Sequence, residues 1–141
     1  MAMSKLDSSE VCLTLPADDK KLRELVDFLK SDMEKHNVLP KKQFNMISAA
    51  EEVFVNISNY AYDGTGHVEV TSFVQEATYY VRFADEGKQY NPLEHEDPDI
   101  TLELKDRPIG GLGIFLAKKL SDKISYAYEN GKNMLTIGVD L

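Results

Sequence analysis

The sequence predicts an α+β fold: one mostly antiparallel sheet with helices on one face, a two-layer α/β sandwich. Two observations carry that expectation. Short segments with alternating apolar residues come in adjacent pairs joined by turn-like links, and longer segments between them carry apolar residues at helical spacing. Paired strands with helices segregated between them indicate a sheet layer against a helix layer.

Val11, Leu13 and Leu15 alternate with Cys12 and Thr14, a first strand ended by Pro16. Asp18 is placed to cap a helix reaching about His36, with Leu22, Leu25, Val26 and Leu29 as its apolar stripe. Pro40 opens a second helix that runs to about Tyr62, ahead of the turn Asp63-Gly64-Thr65-Gly66. Strands over about 67–74 and 77–84 follow, linked through Gln75 and Glu76 as a hairpin. An irregular acidic stretch, Leu93 to Arg107, leads to Gly110-Gly111-Leu112-Gly113 and a helix from Ile114 to about Leu120. Strands over about 123–128 and 134–139 close the chain around the turn Asn130-Gly131.

The chain has 141 residues, with 24 acidic and 16 basic side chains and a net charge of −8. That length suits a single domain, 1–141, with one core. The acidic balance argues against nonspecific binding to nucleic acid or an anionic membrane surface. No apolar run is long enough for a membrane span, and the polar start lacks a secretory signal. Cys12 is the only cysteine, which excludes an internal disulfide and a multi-cysteine zinc site. A cytoplasmic location is expected.

The second helix is the most informative segment. Met46, Ile47, Ala50, Val53, Phe54, Ile57 and Ala61 share one broad face, the expected core face. Asn45, Ser48, Ala49, Glu52, Asn56 and Asn59 share the opposite one. A solvated face usually carries Lys, Arg and Glu, whereas this stripe is small and mostly uncharged, so it is expected to line a ligand cavity. Glu52 and Asn56 are four apart and meet on that face. A carboxylate there can take a proton or orient water, and an amide oxygen can ligate Mg²⁺. Glu51 lies about 140° round the helix from Asn56 and cannot share the site.

Two further clusters stand out. Asp85-Glu86-Gly87 follows an apolar strand; the aspartate can accept from an exocyclic amine, and the glycine lets a flat ring approach, although the pattern is also an ordinary turn. Gly110-Gly111-Leu112-Gly113 precedes a helix, where backbone N–H groups favour an anion, although a hinge would read the same way. It lacks the Lys-Ser/Thr ending of a P-loop.

In order, Glu52-x-x-x-Asn56, Asp85-x-Gly87 and Gly111-x-Gly113 resemble the N, G1 and G2 boxes of the GHKL ATPase/kinase superfamily. The likeness spans nearly the whole chain and is greatest to the bacterial anti-sigma-factor serine/threonine kinases, whose G1 box Asp85 to Asn91 matches. The resemblance implies a Bergerat-type, histidine-kinase-like ATPase fold binding ATP and Mg²⁺. By this likeness Asp85, Gly87 and Tyr90 serve the adenine end, Asn56 ligates Mg²⁺, and Glu52 is the general base. Gly110, Gly111, Leu112 and Gly113 meet the phosphates, about 93–109 forms an ATP lid, and Thr136 joins the adenine site. It also implies a homodimer, with the first strand and helix as contact region, and an anti-sigma antagonist-type protein as partner, with a sigma factor as a further one.

Two positions depart from the pattern. Tyr60 stands where many members have a basic residue, and Gln89 replaces a second G1 glycine. No phosphoacceptor-histidine helix is evident; His36, His67 and His95 are scattered and read as surface or loop residues. The implied activity is phosphorylation of a partner protein; the alternative is a nucleotide-gated binding module without useful kinase activity. Glu52 favours the kinase, because binding alone does not need a base.

Overall fold

The computed structural model describes residues 10–94 and 111–141, with the side chains of 111 and 112 not described. Most of the expected lid, Gly110 and His95 therefore lie outside the described residues. Among the described residues are five strands and three α-helices: β1 (Val11–Pro16), α1 (Leu22–Lys35), α2 (Pro40–Tyr60), β2 (His67–Gln75), β3 (Thr78–Asp85), α3 (Gly111–Leu120), β4 (Lys123–Glu129) and β5 (Lys132–Asp140). The sheet has the order β1-β2-β3-β5-β4 and every neighbouring pair is antiparallel. This is the expected α+β arrangement.

Strand alternation explains the two layers. Val68 and Val70 of β2, Val81 and Phe83 of β3, and Leu135, Ile137 and Val139 of β5 are buried. They meet Leu25, Leu29 and Met33 of α1 and Met46, Val53 and Phe54 of α2 in one apolar cluster. Pro40 starts α2 because its fixed φ suits the first helical position. The sheet's central strand pair sets the site: antiparallel register places Asp85 at the end of β3 opposite Asn133 near the start of β5.

Several boundaries differ from expectation. Asp18 caps a 3₁₀ turn, Asp19–Lys21, by accepting the Lys20 N–H at 3.0 Å, and α1 begins only after it. α2 stops at Tyr60, two residues early. The β2–β3 turn centres on Glu76 and Ala77, both at positive φ (49° and 63°), rather than on Gln75 and Glu76. Of the α2 stripe assigned to a ligand cavity only Asn56 is among the described lining residues, and Ala49 is fully buried on a helix that packs on α3. α3 starts at Gly111 rather than Ile114, so Gly111 and Gly113 lie in its first turn, not ahead of it.

His36 is also not a plain surface residue. Its ring packs 5.8 Å from that of Tyr79, and Nε2 lies 3.9 Å from the buried Asp32 carboxylate. Asp32 Oδ2 accepts 2.6 Å hydrogen bonds from both Ser72 and Tyr79. Burial and the adjacent carboxylate push the Tyr79 hydroxyl far above its ordinary pKa, so it stays a donor.

Candidate functional site

Asp85 ends β3 facing the helices and is 6% exposed. Its Oδ1 accepts the Gly87 N–H at 2.9 Å, the Asx turn of an Asp-x-Gly sequence. Asn133 Nδ2 donates to the same oxygen at 3.0 Å and to the carbonyl of Lys88 at 3.0 Å. Asn133 Oδ1 accepts the Tyr90 N–H at 3.0 Å and the Tyr126 hydroxyl. One buried amide thus ties together the loop after β3, β4 and β5. Burial pushes the Asp85 carboxyl above the usual carboxylate range, against the opposing pull of the bonds from Asn133 and Gly87.

A cavity of about 330 Å³ opens beside this group. Val53, Asn56, Ile57 and Tyr60 of α2 form one wall, and Asp85, Asn133 and Leu135 of the sheet form another. Ala61, Lys88, Tyr90, Pro92 and Tyr126 complete the lining. The cavity is largely apolar with a few convergent polar groups, the usual composition of a small-molecule site. Lys88 is the only cation among its described lining residues. Tyr60, the departure from the family pattern, faces the same space.

Asp85, Tyr90 and Asn56 are therefore brought together, as expected from the sequence. Gly87 sits beside them for a reason that the sequence reading missed. A Cβ there would fall 2.2 Å from the Ala61 carbonyl oxygen, so the glycine lets the loop lie against the end of α2. The Lys88 N–H donates to that same oxygen at 3.2 Å. Glu52 is one turn before Asn56 but outside the cavity lining. Its Oε1 would be 2.7 Å from a Cβ on Gly113, which puts the carboxylate against the first turn of α3. Glu51 lines a separate groove with Leu22, Arg23 and Val26 of α1 and does not approach Asn56's cavity. Gly111 and Leu112 lie in the first turn of α3.

Thr136 does not line the cavity, contrary to expectation. It pairs with Arg82 and Ser125, between the buried Leu135 and Ile137, so its side chain leaves the opposite face of the sheet. Asn133 and Leu135 line the cavity instead. Asn133 carried a usable signal: it shares strand parity with Leu135, Ile137 and Val139, and an amide on an apolar face calls for partners. Lys88 and Tyr126 carried none.

Among the described residues no three carboxylate, imidazole or thiol side chains converge on a metal site. The Asn56 amide at the cavity wall fits Mg²⁺ only as one protein ligand beside phosphate oxygens and waters, an arrangement Mg²⁺ commonly adopts.

The family model for the histidine kinase-like ATPase domain matches residues 15–139, from β1 to β5. The chain belongs to that family. The serine/threonine-protein kinase BtrW of Bordetella bronchiseptica is 28% identical over 98 residues, which cover 67% of this chain and 68% of that protein. The crystal structure of the RsbU and RsbW domains of Rv1364c from Mycobacterium tuberculosis superposes with a TM-score of 0.65 at 15% identity. It matches 94% of this chain, but the chain spans only 32% of that one. The Acinetobacter baumannii histidine kinase AdeS superposes with a TM-score of 0.52 at 16% identity, over 91% of this chain and 67% of that one. These two structures establish the shared fold. The chain is thus a GHKL-type ATPase domain with a kinase-like relative, and no described helix is long and apolar enough to cross a membrane.

Proposed function

We propose that this chain is an ATP-dependent serine/threonine protein kinase of the anti-sigma type. The observation that carries the reading is the cavity bounded by Asp85 and Asn56, with Glu52 one helical turn before Asn56 and against Gly113. Asp85 accepts a hydrogen bond from the adenine amine, Gly87 and Tyr90 flank the base, and Asn56 provides the protein ligand to Mg²⁺. The metal, when bound, neutralises charge on the phosphates. Glu52 then takes the proton of the acceptor hydroxyl, a role its position at Gly113 keeps apart from base recognition. Gly110, Gly111 and Gly113 serve the phosphate end, with residues 93–109 as the lid.

The partner is an anti-sigma antagonist-type protein, with a sigma factor as a second class of ligand. Self-association as a homodimer through β1 and α1 is part of the same reading: β1 is an edge strand, and its Val11 is 40% exposed.

The test is phosphoryl transfer from labelled Mg·ATP to candidate antagonist proteins by four proteins. The wild type transfers to serine or threonine. Asn56→Ala loses Mg-dependent nucleotide affinity and transfer together. Glu52→Gln binds ATP but transfers about 10²–10⁴-fold more slowly. Glu51→Gln, altered in the α1 groove, transfers normally. Tyr60 in the cavity in place of a basic residue favours a second reading, a nucleotide-gated binding module. A wild type that binds its partner in a nucleotide-dependent way without transfer establishes that module and rejects the kinase.

A further inference from the structure

The Asn133 side chain hydrogen-bonds to Asp85, Gly87, Lys88, Tyr90 and Tyr126 beside the cavity. Its two ends do opposite work. The oxygen accepts from two donors, Tyr90 N–H and Tyr126 O–H, while the nitrogen donates to the Asp85 carboxylate and the Lys88 carbonyl. Turning the amide over would set its NH₂ against the Tyr90 N–H and its oxygen against the Asp85 carboxylate and the Lys88 carbonyl, so the orientation is fixed. Both protein donors to Asp85 land on Oδ1, one from Gly87 and one from Asn133. Among the described residues Oδ2 has no protein donor, and Asp85 lines the cavity.

We propose that Asn133 is the positioning residue that aims Asp85, and so sets the cavity's preference for a purine bearing an exocyclic amine over one bearing a keto oxygen. This rests on the reading of the cavity as an ATP site. The amide fixes the carboxylate's rotation and favours its ionised, acceptor-only form. An amine can satisfy Oδ2; a keto oxygen at the same place meets a second acceptor and is repelled. The discrimination therefore depends on a residue that contributes its nitrogen to Asp85 rather than to the ligand.

The experiment is calorimetric titration with Mg·ATP and with Mg·ITP, which differ at the purine amine. The wild type favours ATP. Asn133→Ala removes the donor, lets Asp85 rotate and protonate more easily, and cuts the ATP-to-ITP preference by at least about tenfold. Asn133→Asp sets a second carboxylate against the first, so the pair holds a proton and presents a donor. Its preference falls further, toward ITP. Tyr126→Phe, which removes one hydroxyl from the far end of the amide, shifts the ratio in the same direction by a smaller factor. It carries the test if the Asn133 variants do not fold, as judged by thermal unfolding.

Parallel weakening of both nucleotides at an unchanged ratio would mean that Asn133 only holds the loop together, and overturns the proposal. A wild type with equal affinity for the two nucleotides overturns it as well. A wild type that binds neither rejects the ATP site itself, a failure distinct from the other two.

Discussion

Replacing Gly87 by alanine isolates the contact that seats the loop after β3. The added Cβ would lie 2.2 Å from the Ala61 carbonyl oxygen and 2.7 Å from its carbon, where ordinary contact begins at 3.4 Å. The obstacle is backbone at the end of α2, not a side chain that can swing aside. The loop must lift by about an ångström, and the 3.2 Å bond from Lys88 N–H to Ala61 goes with it. One lost hydrogen bond at about 1 kcal/mol and overpacking at about 1–3 kcal/mol give a cost of about 2–4 kcal/mol. Lifting also drags the Lys88 carbonyl from Asn133 and moves Asp85 and Tyr90. Restoring that geometry on binding, at about 2 kcal/mol, weakens ATP by about 30-fold. Urea unfolding measures the first quantity and calorimetry the second. Gly64→Ala is the control: nothing lies within 4 Å of its added Cβ, so it should be neutral or slightly stabilising. Wild-type stability and ATP affinity in Gly87→Ala would refute the argument from close approach.

Asp85→Asn should lower ATP affinity by about 1–3 kcal/mol in calorimetry, because an amide can turn a donor toward the purine amine. The raised Asp85 pKa gives pH dependences of opposite sign. As pH falls through the raised value toward the ordinary carboxylate range, proton uptake stabilises the free fold, because it relieves a buried charge, while ATP affinity drops; urea unfolding and titration from neutral pH down to the ordinary carboxylate range should show both. Asp32→Ala strands the buried Ser72 and Tyr79 hydroxyls without an acceptor and should cost about 2–5 kcal/mol in urea unfolding, with nucleotide affinity unchanged. Gly113→Ala favours α3 by helix propensity but forces the Glu52 carboxylate off its first turn, so phosphoryl transfer should fall while thermal stability holds.

Much of this architecture was legible from periodicity. Alternation located all five strands, and helical spacing located α2 with its core face. Glycine blurred one boundary: the weak helix formers Gly111 and Gly113 hid the first turn of α3, which packing on α2 stabilises. Ala49 was misplaced because an alanine fits a cavity wall and a helix–helix contact equally well. The Thr136 expectation failed by parity, since a single-residue change along a strand reverses the face. Asp85, Asn56 and Tyr90 converge because the sheet register and the end of α2 meet there, and their motifs mark that meeting. Lys88 and Tyr126 join them through loop path and edge-strand position, which spacing does not encode.

The two hairpins reach similar left-handed turn geometry with unequal residues. Asn130 and Gly131 adopt φ of 54° and 77°, which that pair takes with little resistance, whereas Glu76 and Ala77 are held at 49° and 63° against their preference. The β4–β5 turn can therefore nucleate its own hairpin, while the β2–β3 turn must be imposed by the eight-pair strand register that it closes. Folding should accordingly commit early at the end of the sheet nearest Asn133 and zip late at the other, with transition-state structure high at Asn130-Gly131 and low at Glu76-Ala77. Substituting Asn-Gly at 76–77 would then slow unfolding if that turn still forms after the barrier, and speed folding if the new turn becomes a second nucleus.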